Sequence, residues 1–226
     1  MNREEAIERL ARGPVCLVGV LGGIAAGKST LTQAFERFGA RLFDADRIVH
    51  EIHRRPETKA AVRARWGDEV MTPAGEIDRP RLARRVFDDP AERRALEEIV
   101  HEPVLAELAR VATEMEGALA GPQDPDAPPA VLVVDAALLA ETGLFRACRW
   151  LFFVDTPREE RIRRARAERE WDEGEIDRRE AHQMPVEEKR RLAGEIVRGD
   201  QGPAAIEERV REFYRSRLGR SPRLST

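Results

Sequence analysis

At 226 residues, with 39 Lys and Arg against 42 Asp and Glu and a formal charge of −3, the chain can bury a core without disulfide staples and has no broad positive field for nucleic acid. The two cysteines, Cys16 and Cys148, lie in or beside apolar runs with no CxxC and no Cys/His cluster, so they read as reduced, packed thiols rather than catalytic ones. No apolar stretch approaches the roughly eighteen residues of a membrane span, and residues 1–13 are charged and amphipathic where a signal peptide would be apolar. A soluble cytoplasmic protein is expected, monomeric or a small homo-oligomer, with neither membrane nor nucleic acid as a partner.

After Gly13-Pro14, the nearly continuous apolar run Val15–Leu21 has the pattern of a strand buried on both faces. A Gly-rich turn, Gly22 to Gly27, leads into a helix over Lys28–Phe38, where Leu31, Ala34, Phe35 and Phe38 recur at helical spacing before Gly39. Arg41–Asp44 is a second short strand, ending in Asp44-Ala45-Asp46. From Asp46 to about Glu116 the pattern is mostly helical. Breaks are expected at Pro56, Gly67, Thr72–Gly75 and Pro90, with one helix over Ile77–Asp89 entered at Asp78-Arg79-Pro80 and a longer one over Ala91–Glu116 interrupted near Pro103. Residues 117–129 read as an exposed connector. Val131–Asp135 and Trp150–Asp155 are two more strands, and both end in aspartate. Thr156–Arg191 is so rich in Arg and Glu that it suits an exposed helical element projecting from the body. Glu195–Arg198 is a candidate fifth strand, Ala204–Leu218 an amphipathic closing helix, and 219–226 a loose tail. Strands alternating with helices predict a three-layer α/β fold with a parallel sheet.

Gly22-Gly-Ile-Ala-Ala-Gly27-Lys28-Ser29 fits the pattern G-x-x-x-x-G-K-[ST], placed between a buried strand and a helix as a P-loop requires. Glycines let the backbone curl so that successive N–H groups face one anion, and the following helix adds its positive dipole end. This composition produces the pattern by chance in roughly one chain in a thousand of this length. Gly22, Gly23, Ile24, Ala25, Ala26, Gly27, Lys28, Ser29 and Thr30 are therefore expected around the phosphates of ATP, with Lys28 on the β and γ phosphates and the Ser29 hydroxyl on Mg2+. Thr30 doubles as a helix-face or capping residue. Lys28 is one of only three lysines, with Lys59 and Lys189, in a chain that otherwise uses Arg, which suggests that a compact ammonium is needed there. No NKxD-like or DxxG element of a GTPase is apparent, and an Arg-rich helical segment late in the chain suits a small-molecule kinase whose lid closes over phosphates and excludes water.

Four blocks then resemble the dephospho-CoA kinase family over about Val15 to Gly202. Gly19–Thr30 is similar to the family's G-x-T-G-G-I-G-S-G-K-S, and Phe43–Asp46 to its I-D-A-D. Arg85–Pro90 and Leu96–Pro103 are similar to V-F-x-x-P and L-E-x-I-x-H-P. Val133–Leu144 resembles D-x-P-L-L-F-E-x-G-L, and Gln183–Arg190 resembles Q-x-P-x-x-x-K. Departures are Ala25 and Ala26 for Gly and Ser, Glu102 displacing Pro to Pro103, Ala137 before Leu138-Leu139, and Asp200 for a late Asn.

The resemblance implies a P-loop NTPase core of 14–45, 117–156 and 193–218, a helical acceptor lobe at 46–116, a lid at 157–192 and a tail at 219–226. It implies ATP-dependent phosphorylation of the ribose 3'-hydroxyl of dephospho-CoA, the last step of coenzyme A biosynthesis, with ATP and Mg2+ as cofactors. Asp46 would accept the hydroxyl proton, although Asp at a strand–helix junction also serves as a helix cap. Asp44, Asp46, His101, Leu138 and Glu141 are the expected acceptor-binding residues, and Arg164 and Arg169 would meet the triphosphate, although such arginines are often only solvated. Asp135 ends an apolar run in the Walker B manner and could hold a water of the Mg2+ shell with Ser29. Two other readings stand beside this one: a kinase of another nucleoside or nucleotide, and a non-catalytic ATP-binding sensor.

Overall fold

The structure is a computed structural model that describes residues 2–87, 89–119 and 130–219. Residues 120–129 of the expected connector and 220–226 of the expected tail lie outside that range. Two compact units are formed, one by the chain up to Asp44 together with the chain from Val111 onward, the other by Ala45–Arg110.

The first unit is built on a five-stranded, wholly parallel sheet of β1 (Cys16–Gly22), β2 (Arg41–Asp44), β3 (Val131–Asp135), β4 (Trp150–Asp155) and β5 (Glu195–Arg198), in the order β2-β3-β1-β4-β5. This is the expected α/β class. All seven residues of β1 are buried, as a central strand covered on both faces must be. On one face Cys16, Val18 and Val20 pack with Leu31, Ala34 and Phe35 of α2 (Lys28–Arg37) and with Ile206, Val210, Phe213 and Tyr214 of α10 (Pro203–Arg217). Phe35, Phe152 and Phe213 meet edge to face with centroids 5.0–5.9 Å apart, the geometry that aromatic quadrupoles favour. On the other face Gly19 leaves no room for a side chain: a Cβ there would lie 2.9 Å from Leu139 Cδ2 and 2.9 Å from Cys148 Sγ. Burial, with a smaller contribution from Cys16, pushes the Cys148 thiol up to about 12, and burial also raises Cys16. Both cysteines are the packed thiols that their neighbours suggested.

The charged, amphipathic start of the chain forms α1 (Arg3–Arg12), opened by a reciprocal capping box between Asn2 and Glu5. Its Ala6, Ile7 and Leu10 are buried, and it packs on the short 3-10 turn Leu144–Ala147.

The second unit holds α3 (Ala45–Ile52), α4 (Pro56–Trp66), α5 (Arg79–Phe87) and most of α6 (Pro90–Leu119). Asp78 enters α5 as expected, its Oδ1 accepting the Arg81 N–H at 3.1 Å. The interruption expected at Pro103 is absent, and α6 is one helix through it. Pro103 removes a single backbone N–H, while Val100, Val104, Leu105 and Leu108 are buried on both sides of it, so packing carries the helix past the missing bond.

The Arg/Glu-rich segment is the larger departure from expectation. It folds as α7 (Arg158–Arg169), α8 (Glu173–Glu180) and α9 (Val186–Leu192), and α9 lies against β1 and β4 instead of projecting. Arg161, Ala165, Ile176 and Lys189 are all buried. Lys189 is 3% exposed, and its ammonium reaches Glu141 Oε1 and Gln183 Oε1, each at 2.9 Å. Glu141 Oε1 also accepts the Met184 N–H at 2.7 Å. Breaking a buried pair leaves one charge uncompensated, so Lys189→Met should lower unfolding free energy by about 3 kcal/mol, the low end of such losses because the Met184 N–H remains; urea titration of the two proteins measures it.

Candidate functional site: a phosphate cradle at the carboxyl edge of the sheet

Parallel strands bring Asp44, Asp135, Gly22 and Asp155 to one edge of the sheet. Asp44 and Asp135 end β2 and β3 in register, and β1 runs two residues beyond its pairing of Val20 with Asp135 to end at Gly22. Ligands collect at such an edge where strand order reverses, which here is β1, between β3 and β4.

The loop from Gly22 to Gly27 is turned by two residues with left-handed backbone, Ala25 at φ 55° and Gly27 at φ 89°. Ala26 N–H donates to Gly23 O at 3.2 Å and Thr30 N–H to Gly27 O at 3.1 Å, which closes the loop onto α2. No side chain caps α2, and its first turn contains no acidic residue. The helices α1, α7, α8 and α9 each carry glutamates there, whereas α5 and α10, like α2, carry none. The start of α2 holds Lys28 instead, a cation at the positive end of a helix dipole, which is favourable only when an anion is nearby. Ser29 is exposed and Lys28, Thr30 and Ala25 are half-buried.

The carbonyls of the loop are held from outside. Ala26 O accepts the Thr156 hydroxyl at 2.7 Å and Arg164 Nη1 at 3.4 Å. Ile24 O accepts Arg161 Nη1 at 3.3 Å. In a planar trans peptide the C=O of one residue and the N–H of the next point in opposite directions. The described chain has no cis peptide, so fixing Ile24 O and Ala26 O on the outer side turns the N–H groups of Ala25 and Gly27 to the inner side. Close approach is needed for this. A Cβ on Gly199 would lie 2.6 Å from Ala26 O, and one on Gly23 2.7 Å from Arg161 Nη1.

Arg164 spends its other donors on Glu160 Oε1 and Gly199 O, both at 2.9 Å. Arg169 lies elsewhere: its guanidinium sits 4.9 Å from the Trp171 ring centroid, and Arg179 sits 4.1 Å from the same ring. Glu141 is held by Lys189 and Met184, and Leu138, half-buried, accepts the Thr142 hydroxyl at its carbonyl. Asp200 forms a two-point ion pair with Arg198, which draws its carboxyl below the ordinary range.

In the other unit, Asp46 is exposed in the first turn of α3, and Asp44, not Asp46, is the residue before that helix. His101 is half-buried on α6. Arg79 Nη1 lies 2.6 Å from His50 Nδ1, while burial, then Arg79 and His50, hold His53 below its usual pKa. Among the described residues no group of three or more His, Cys, Asp or Glu could hold a metal, and no helix is long and apolar enough to cross a membrane.

Comparison with known proteins bears on these blocks directly. The family model for dephospho-CoA kinase matches residues 16–204. The chain belongs to the dephospho-CoA kinase family. A dephospho-CoA kinase of Geobacter sulfurreducens is 35% identical over 89% of this chain and 98% of that protein, and one of Aquifex aeolicus is 30% identical over 91% and 98%. A crystal structure from Thermus thermophilus aligns with 29% identity and a TM-score of 0.73 over 91% of this chain and 99% of its own. A dephospho-CoA kinase structure from Campylobacter jejuni, at 18% identity and TM-score 0.53 over 87% of this chain and 94% of its own, supports the fold.

Two of the dephospho-CoA kinase blocks now have a physical reading, with Glu141 of one block and Gln183, Met184 and Lys189 of another bonded together. Sequence reasoning missed Thr156 and could not separate Arg161 from its arginine neighbours. No local pattern marks either residue, because their partners lie about 130 positions away. The Ala25 departure has a direct consequence: left-handed backbone costs a non-glycine residue roughly 1–2 kcal/mol. Ala25→Gly should therefore unfold no earlier than the parent despite its greater chain entropy, while Ala25→Val should lose at least about 1 kcal/mol; thermal denaturation with and without ATP separates the three.

Proposed function

We propose that the chain transfers the γ phosphoryl group of ATP to the ribose 3'-hydroxyl of dephospho-CoA, yielding CoA and ADP in the cytoplasm. The observation that carries this reading is the cradle itself: an α2 start with no side-chain cap, no acidic residue in its own first turn and Lys28 in that turn, below a loop whose carbonyls are held outward. Family membership supports the acceptor, since its distinguishing blocks lie outside the loop.

The N–H groups of Ala25 and Gly27 and the Lys28 ammonium would receive the β and γ phosphates. Arg164, a quarter exposed beside Gly27, would exchange its carbonyl partners for phosphate oxygens. Asp46 would accept the hydroxyl proton. Mg2+, when bound, would neutralise charge on the phosphates. Mg2+ needs only one or two protein donors beside phosphate and water; the Ser29 hydroxyl at the start of α2 would be one, and the Asp135 carboxylate at the end of β3 would hold a water of its shell.

Purified protein with Mg-ATP, assayed for ADP release against dephospho-CoA, adenosine, AMP and cytidine, tests the reading. Selective turnover of dephospho-CoA is expected. Selective turnover of another acceptor would replace dephospho-CoA as the substrate, and tight ATP binding without turnover would mark a sensor. Asp46→Asn should keep ATP affinity and lose on the order of 10²–10⁴-fold in kcat, the range of a lost general base; a near-wild-type rate would leave Asp46 as a first-turn helix residue. Lys28→Ala should instead weaken nucleotide binding.

A further inference from the structure

We infer that Arg161 is a positioning residue for the phosphate cradle: by holding the Ile24 carbonyl outward, it fixes the direction of the Ala25 N–H. This inference rests on the nucleotide-binding reading of the P-loop but not on the identity of the acceptor.

Arg161 stands apart from the other arginines of α7. It is 5% exposed, and with Lys189 it is one of two buried cationic side chains among the described residues. Its Nη1 donates to Ile24 O at 3.3 Å and pairs with Glu180 Oε1. The guanidinium presses on Gly23, whose Cβ, if present, would lie 2.7 Å from Nη1, 2.9 Å from Cζ and 3.1 Å from Nε.

Two costs accompany this arrangement. Arg161 Nε is buried with no hydrogen-bond partner, and an orphaned donor is unfavourable. Glu180 is the last residue of α8, where a carboxylate opposes the helix dipole. Neither cost is explained by joining α7 to α8 alone, because Arg158 already does so from the surface through Glu173 and Asp177. What Arg161 adds is its grip on the P-loop.

The grip falls at a sensitive place. Ile24 O and Ala25 N–H are the two ends of one peptide plane, and Ala25 is the non-glycine residue held at φ 55°. A strained residue relaxes by rotating a flanking peptide, and that rotation would swing an amide away from the phosphates. Both bonds leave from Nη1 while the flat guanidinium lies over Gly23, with Nη1, Cζ and Nε all close to where a Cβ would be, a cover that an ammonium on a narrower stem cannot give. Arg161 acts through Ile24 and differs in this from Arg164, whose exposure leaves it able to exchange partners.

The test uses the full chain and four variants, Arg161→Lys, Arg161→Met, Glu180→Gln and the Arg161→Met with Glu180→Gln double variant. Binding of a fluorescent ATP analogue, KM for ATP and for the acceptor, and Tm are read for each. Arg161→Met strands the Glu180 charge and should lower Tm, and the double variant, which also removes that charge, should recover most of the loss. Nucleotide affinity should not recover: a misaligned amide in the double variant should weaken analogue binding about tenfold, as loss of one charge-assisted contact does. KM for ATP should rise in parallel, with the acceptor KM unchanged. Arg161→Lys should keep Tm and bind the analogue more than threefold weaker. Threefold or less weakening in the double variant, or in Arg161→Lys, would overturn the inference and leave Arg161 as the counter-charge of Glu180. If Arg161→Met does not fold, the lysine and double variants decide alone. If no dephospho-CoA is turned over, analogue binding still decides, so the two readings fail separately.

Discussion

A peptide plane has two ends, and a loop that turns its amides toward an anion must give its carbonyls somewhere else to go. The organisation of the nucleotide edge follows from that constraint. The outward carbonyl of Ala26 is met by the Thr156 hydroxyl, which directly follows β4, and by Arg164 of α7. Gly199, directly after β5, must lack a side chain for that contact to close. Ile24 is met by Arg161. The segment that follows β4 is therefore bonded to the loop's backbone. Lys28, with no acidic residue in the same helical turn, sets the sign of the charge that the loop invites.

The sheet can present this loop because its central strand is buried on both faces. Aromatic packing through Phe35, Phe152 and Phe213 fixes α2 against one face. On the opposite face the absence of a side chain at Gly19 admits Leu139 and Cys148. Behind them the buried Lys189 ammonium ties α9 to Glu141 in the segment after β3. A charged side chain in the interior is costly unless it is well bonded, and this one meets two acceptors. The acidic and basic composition of residues 157–192 thus conceals two buried cationic anchors, Arg161 and Lys189.

The features legible in the sequence were those set by neighbours in the chain. Strand runs ending in aspartate, the glycine loop and the apolar stripe of α2 are local patterns, and the structure reproduces them. Scarcity of lysine was informative for Lys189, which is buried and bonded, but not for Lys59, which forms a partly exposed pair with Glu76. Misreadings came where long-range packing overrides composition. Pro103 reads as a break until the buried residues around it are counted, and α7 reads as solvated until Arg161 is found beneath it. Charge counts along a helix cannot tell which arginine faces inward, because Ile24 and Glu180 lie 137 and 19 positions from Arg161.

Ala25 and Ala26, the two departures from the family pattern inside the loop, have opposite physical standing. Ala26 is buried in the core beneath the sheet edge, and a Cβ on Gly22 would lie 3.3 Å from its methyl, so that methyl fills space that the glycine leaves. Ala25 has no such return: it stands where the family carries glycine and keeps a backbone conformation that glycine adopts without strain. Strain of that kind persists only where the surroundings over-determine the conformation. The residue before it is gripped by Arg161, the residue after it is locked by Thr156 and core packing, and Ala26 N–H closes the turn on Gly23. The external bonds to the carbonyls and the unusual alanine are thus two aspects of one arrangement, in which tertiary contacts supply the conformation that a glycine would otherwise have made easy.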